Sequence, residues 1–275
     1  MQENFSPIKT PIALTIAGSD SGGGAGLQAD LKTFSANNVY GASVVTAVTA
    51  QNTVAVTVVH EIPADIVAAQ IKAVLDDLDV DAVKIGMLFS REIISSVAKA
   101  LNDCEIPIVL DPVMIAKSGD ALLQETAVSA LRSLLLPHVD LLTPNLPEAA
   151  RLLDVKEASS VNEMEVQAHA LLALGPKAVL IKGGHGTEMT CSDILLCHNQ
   201  PIMQLDAPRQ NTKNTHGTGC TYSAAIAAEL AKGNSMETSV QNAHTYLQNA
   251  IINADQLNIG SGHGPVHHFH KLWIG

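Results

Sequence analysis

Apolar positions along the chain alternate between two spacings. Short β-rich runs occur at residues 12–17, 43–50, 54–62, 82–85, 106–110, 139–143 and 178–182. Between them the apolar residues recur every three to four positions, the period of a helix with one buried face. One such helix is predicted over residues 64–78 after Pro63, a second over 92–101 after Ser90, and a third over 125–136 before Pro137. A fourth, 162–174, stops at Gly175-Pro176, where a helix cannot continue. Strands flanked on both sides by such helices are covered on both faces. The pattern therefore predicts a mostly parallel sheet between two helical layers, joined by right-handed crossovers. It breaks twice. Residues 190–196 and 201–205 read as a β-hairpin around 197–200, and two helices, about 221–231 and 236–253, follow with only Gly233-Asn234 between them. No linker, repeat or low-complexity tract interrupts residues 1–275, so one domain is expected, with residues 1–11 as a poorly ordered arm.

Composition narrows the class. With 47% apolar and 16% charged residues in 275, the chain can bury a core and is not a disordered segment. Its net charge of −11 disfavours nucleic acid or an anionic membrane as the main partner, while leaving room for a small anionic substrate. No apolar run reaches the ~18 residues that span a bilayer. The opening MQENFSPIKTP lacks a signal-peptide pattern, and the four cysteines contain no Cys-x-x-Cys pair. A cytoplasmic protein with reduced thiols is expected.

Two glycine-rich loops could carry chemistry. The first, Ala17-Gly18-Ser19-Asp20-Ser21-Gly22-Gly23-Gly24-Ala25-Gly26, joins the first strand to a helix bearing Asp30 and Lys32. A dinucleotide fold starts the same way but wants an acid about twenty positions on. The corresponding segment, Thr46 to Thr53, supplies Gln51 instead. A tight turn would also use such glycines. The second loop, Asn214-Thr215-His216-Gly217-Thr218-Gly219-Cys220-Thr221, runs into an Ala-rich helix. Its bare backbone N–H groups and the positive end of the helix suit an anion, although a plain helix start would look similar. Cys220 lies in the first turn, where the helix favours a thiolate. The alternative is a small buried hydrophobe.

Three strand tips add candidate groups, at the edge where open α/β sheets bind ligands. They are Asp111 in Leu110-Asp111-Pro112, the Thr143-Pro144-Asn145-Leu146-Pro147-Glu148 segment, and Lys182-Gly183-Gly184. The oxygen groups suit Mg²⁺ and the lysine suits phosphate, though either acid alone is more often a helix cap or part of a solvated turn. His263, His267, His268 and His270 crowd the C-terminus without the spacing of a common zinc site, so packing is the expectation there.

In order along the chain, these loops resemble the ribokinase-like kinases. More narrowly, AGSDSGGGAGLQADLKTF, VTAVTAQNT, VKIGM, LDPVM, KSGDALL, LLTPNLPEA, IKGGH, THGTGCT and GHGPVHHF resemble the hydroxymethylpyrimidine/phosphomethylpyrimidine kinases of thiamine biosynthesis, over most of the chain. The resemblance implies an α/β/α sandwich, Mg²⁺ with ATP as phosphate donor, and two successive phosphorylations of a pyrimidine. It leaves room for a monovalent cation and a homodimer. On matching positions it implies that Gln51 binds the aminopyrimidine in a pocket lined by Asp30, Met87 and Gly18. Asn145, Glu148 and Asp111 would organise Mg²⁺ and phosphates, with Thr143, Lys182 and Gly183 on the nucleotide side. Gly217, Thr218 and Gly219 would hold the transferring phosphoryl group. Most of the wider superfamily carries Asp where Cys220 stands, whereas the pyrimidine kinases share the Cys. A pyridoxal kinase is the nearest alternative, a sugar kinase is disfavoured by Gln51 and Met87, and a non-catalytic pyrimidine-binding regulator is the alternative from another class.

Overall fold

A computed structural model describes residues 9–114, 125–185 and 189–273. The KSGDALL segment and residues 1–8 of the expected arm lie outside them; Lys9 pairs with Asp81. The first half runs β1 (Ile12–Asp20), α1 (Gly26–Ala36), β2 (Tyr40–Gln51), β3 (Val56–Glu61), α2 (Ala64–Leu75), β4 (Ala82–Ile85), α3 (Arg91–Leu101) and β5 (Ile108–Leu110). Then come α4 (Glu125–Ala130), β6 (Leu141–Leu142), α5 (Leu146–Leu153), α6 (Val161–Leu172) and β7 (Ala178–Ile181). The hairpin β8 (Thr190–Cys197) and β9 (Met203–Pro208) precedes α7 (Thr218–Ala231) and α8 (Met236–Ile252).

One sheet takes all nine strands in the order β3-β2-β1-β4-β5-β6-β7-β8-β9. Pairing is parallel from β2 to β7 and antiparallel where β3, β8 and β9 extend the two edges. Alternate strand residues face opposite helical layers, as the pleat requires. Leu14, Ile16, Val83 and Ile85 pack with residues of α2, α3, α5 and α6. Ala13, Ala82, Val109 and Leu141 pack with Phe34 of α1 and with α7 and α8. Along α7, residues 224–228 are all buried, and four of these five are Ala, which lets the helix lie close against the sheet. The expected three-layer ribokinase-like α/β/α sandwich is the observed one.

Serines at three helix starts explain their boundaries: Ser90, Ser160 and Ser235 each accept a backbone N–H of the first turn. The helix predicted over 125–136 is a shorter α4 that widens into a π turn at Leu131–Leu135 and tightens into a 3₁₀ turn at Leu136–His138. Pro137 is accommodated because the first positions of a turn need no N–H donor. The run at 139–143 pairs as a strand only over Leu141–Leu142.

Candidate active site

The loops that follow β1, β4, β5, β6 and β7, the end of β2, and the N-terminus of α7 gather at the carboxyl edge of the parallel strands. Gly217 is the N-cap of α7, with φ of +77° and no side chain capping the helix. A Cβ there would collide with the carbonyl oxygen of Gly24, so the two glycine-rich loops touch through backbone that only glycine permits. Thr218 starts the helix and Gly219 follows. A Cβ on Gly219 would stand 3.3 Å from Asp111 Oδ2 and 3.4 Å from Lys182 Nζ. Lys182 Nζ in turn donates to Asp111 Oδ1 at 2.6 Å. The positive end of α7 and the Lys182 ammonium thus face the same small space, which suits a phosphate.

Beside it lies the Asn-x-x-Glu segment, and here the structure corrects the sequence. Asn145 Oδ1 accepts the Glu148 N–H at 2.9 Å while Glu148 Oε2 accepts the Asn145 N–H at 2.8 Å. The pair is the capping box of α5, so one oxygen of each is already engaged. Burial pushes the Glu148 carboxyl up to about 7, with Lys182 opposing and Asp111 adding to the shift. Thr143 is buried, its hydroxyl 3.3 Å from the Leu110 carbonyl and 3.4 Å from Asp111 Oδ1. Gly183 does not offer bare backbone either. Its N–H donates to buried Asp193 at 2.9 Å, and a Cβ would collide with the Ser192 carbonyl.

Asp111 and Glu148 are two buried carboxylates that share one ammonium, a donor set with surplus negative charge that fits a hard divalent cation. No three His, Cys, Asp or Glu side chains converge on a metal position among the described residues. A magnesium ion would complete its shell with water and phosphate oxygens, as it commonly does.

Cys220 is the second correction. Its sulfur accepts the Gly26 N–H at 3.4 Å, placing it between the starts of α1 and α7. Burial pushes the thiol up to about 11; Lys84 opposes this and Asp30 and Asp111 reinforce it. The thiolate expected from a helix N-terminus is outweighed by desolvation and neighbouring carboxylates.

Asp30 is the third. It is fully enclosed, accepting Lys84 Nζ at 2.8 and 2.9 Å and the Thr15 hydroxyl at 2.6 Å, and so does not line a pocket. Burial works against the Lys84 charge, but the Asp30 carboxylate beside it holds its pKa above the ordinary lysine value. Lys84 was missed from sequence, and its signal was a charge inside the otherwise apolar run Ala82–Ile85.

Of the other residues expected in the pocket, Gly18 and Met87 are neighbours. A Cβ on Gly18 would stand 3.2 Å from Met87 Cε, and Met87 packs with Ala47, Val59, Phe89 and Val113 into an apolar wall. Gln51 ends β2 with its Nε2 3.3 Å from His216 Nε2. Asp20 and His216 were also missed. Asp20 accepts the N–H groups of Gly22, Gly24 and Ala25 and contacts His216 Nε2 at 3.0 Å. At the C-terminus Phe269 stacks on Trp273 with ring centroids 5.0 Å apart, and buried His268 contacts the Thr221 hydroxyl at 3.0 Å.

The sheet order and the uncapped start of α7, set against Lys182, fit a phosphotransferase of the ribokinase-like class. A family model described as phosphomethylpyrimidine kinase matches residues 20–267. The hydroxymethylpyrimidine/phosphomethylpyrimidine kinase of Rhizobium meliloti (strain 1021) is 54% identical over 264 residues, 96% of this chain and 99% of that protein. A crystal structure of phosphomethylpyrimidine kinase from Clostridium difficile 630 superposes with TM-score 0.78 at 43% identity, covering 88% of this chain and 100% of that one. An ADP complex of Bacillus subtilis pyridoxal kinase superposes with TM-score 0.86 at 36% identity, over 94% and 98% of the two chains. The chain belongs to the phosphomethylpyrimidine kinase family.

Proposed function

We propose that the protein uses ATP to phosphorylate 4-amino-5-hydroxymethyl-2-methylpyrimidine and then its monophosphate to the diphosphate, in thiamine diphosphate biosynthesis. The observation that carries this is the bare start of α7, Gly217-Thr218-Gly219, set against Lys182 and Asp111. The Gly18–Met87 wall and Gln51 lie at the same edge of the sheet. Phosphoryl transfer asks mainly for positioning and charge stabilisation, which donors of this kind supply. The N–H groups at the start of α7 receive the transferring group, and Lys182 moves from Asp111 to the phosphates. Asp111 and Glu148 would hold Mg²⁺, which neutralises phosphate charge when bound. Met87 and Gly18 give a flat ring an apolar face, and Gln51 hydrogen-bonds its edge. The protein would work in the cytoplasm on small molecules, with neither nucleic acid nor membrane as partner.

Pyridoxal phosphorylation is the second reading, favoured by the superposition on the pyridoxal kinase. A coupled ATP assay with hydroxymethylpyrimidine, its monophosphate and pyridoxal side by side decides between them. Both pyrimidines should turn over. Product only from pyridoxal, or arrest at the monophosphate, would overturn the proposal.

A further inference from the structure

Asp20, His216, Gln51 and Thr49 meet where the count of protons has one solution. His216 Nε2 lies 3.0 Å from Asp20 Oδ2 and 3.3 Å from Gln51 Nε2. Asp20 is buried and accepts three backbone N–H groups, each within 3.0 Å. Burial opposes its charge, yet these donors and His216 keep its carboxyl below the ordinary range. A carboxylate brings no proton, so His216 Nε2 must carry one and donate it to Asp20. A nitrogen that donates cannot also accept from the Gln51 NH₂.

The far side of the amide gives the same answer. Thr49 Oγ1 lies 2.8 Å from the Ser19 carbonyl and 3.1 Å from Gln51 Oε1. The hydroxyl has one proton, and the shorter contact to a carbonyl claims it. An amide oxygen would then face the hydroxyl oxygen with no proton between them. A half-turn of the Gln51 amide removes both mismatches. Its oxygen then faces the His216 Nε2–H and shares that one proton with Asp20, and its NH₂ donates to Thr49 Oγ1 while keeping one N–H free.

We propose that Asp20 and His216 are a positioning pair that fixes the Gln51 amide in this orientation, so that Gln51 offers a bound ring an N–H donor. Taken alone, a glutamine could offer a donor, an acceptor or both; here its oxygen is turned toward the His216 N–H. The site then selects a ring carrying an unprotonated nitrogen at that edge and rejects one with C–H in its place. The identity of the ring rests on the pyrimidine-kinase reading, whereas the orientation of the amide does not. The same histidine precedes the α7 anion loop, and a Cβ on Gly24 would collide with its ring. One side chain therefore ties ring recognition to both glycine-rich loops.

The test has two arms. In the first, kcat/KM is measured for the hydroxymethylpyrimidine and for two deaza analogues, each replacing one ring nitrogen with C–H. The wild-type enzyme should lose about 10- to 100-fold with one analogue, the worth of a hydrogen bond left unmade. His216→Phe, which keeps a ring but no donor, should shrink that penalty to below about threefold, and His216→Gln, which keeps a donor, should restore it. In a cycle with Gln51→Ala, the pyrimidine KM of the double variant should be no worse than that of Gln51→Ala alone. An undiminished penalty in His216→Phe, or additive losses in the cycle, would refute the pair's role. The second arm needs no substrate and no unstable variant. The Gln51 side-chain NH₂ resonances of the ligand-free protein are identified by their loss in Gln51→Ala. They should move in Thr49→Val, which removes the acceptor. Resonances that stay put would refute the orientation, whatever ring the enzyme phosphorylates.

Discussion

Raising the pH separates the two roles open to Cys220. Burial pushes its thiol up to about 11, so at pH 7 about one molecule in 10⁴ carries a thiolate, a cost of ~5 kcal/mol. The thiol loses its proton as pH rises, and the thiolate fraction grows about tenfold per unit until pH nears the pKa. A thiolate that takes the hydroxymethyl proton should make the first phosphorylation about 100-fold faster at pH 9 than at pH 7. The nucleophile of the second step is a phosphate oxygen that is already anionic, so that step needs no base. Single-turnover rates started from each substrate give the ratio of the two steps. That ratio cancels any group serving both, including Glu148, whose carboxyl sits near 7. The expected result is a ratio that climbs about 100-fold from pH 7 to 9 in the wild type and stays flat in Cys220→Ala, whose first step at pH 9 is slower by about 10² or more. A flat ratio in the wild type would refute the thiolate as base. Cys220 would then serve to shape the phosphate site through its contact with Gly26.

Asp30→Asn leaves the Lys84 ammonium buried without its counter-charge, which should cost ~3–5 kcal/mol. With an unfolding entropy of ~2.1 cal/mol/K per residue, that lowers Tm by about 5–9 °C in calorimetry. An Asp30→Asn protein with unchanged Tm and a raised pyrimidine KM would instead return Asp30 to the pocket. Burial holds the pKa of His268 down to about 3, so between that value and about 6.5 the unfolded chain binds the extra proton and stability falls as pH drops. The slope should be ~1.4 kcal/mol per unit below pH 6. His268→Gln should flatten it in urea titrations at pH 6 and 5, and equal slopes in the two proteins would contradict the assignment.

The local architecture was legible in the sequence because its causes are local. The short run at 82–85, apolar except for Lys84, became β4 with those bounds, since a strand buried on both faces needs little else. The hairpin at the end of the sheet followed from two short runs around a turn, and the start of α7 from a glycine-rich loop leading into an Ala-rich segment. Gly18, within β1, and Met87, just after the adjacent β4, are neighbours in the fold.

What tertiary structure alone decided is how the polar groups are spent. Asp111 and Lys182 are 71 residues apart in sequence and neutralise one another; Asp20 and His216 are separated by 196. Asn145 and Glu148 could be read as ligands or as a helix cap, and the fold engages one oxygen of each in the cap. The spacing was readable, but whether a given oxygen was free was not. Cys220 shows the same limit most sharply. Its place at a helix start is a property of a few neighbouring residues, and it argued for a thiolate. Its protonation depends on burial and on Lys84, Asp30 and Asp111, brought from three other elements. Hydrophobic period and backbone sterics act over a few residues and can be read along the chain. Desolvation and charge are sums over everything packed around an atom, and only the folded structure supplies that neighbourhood.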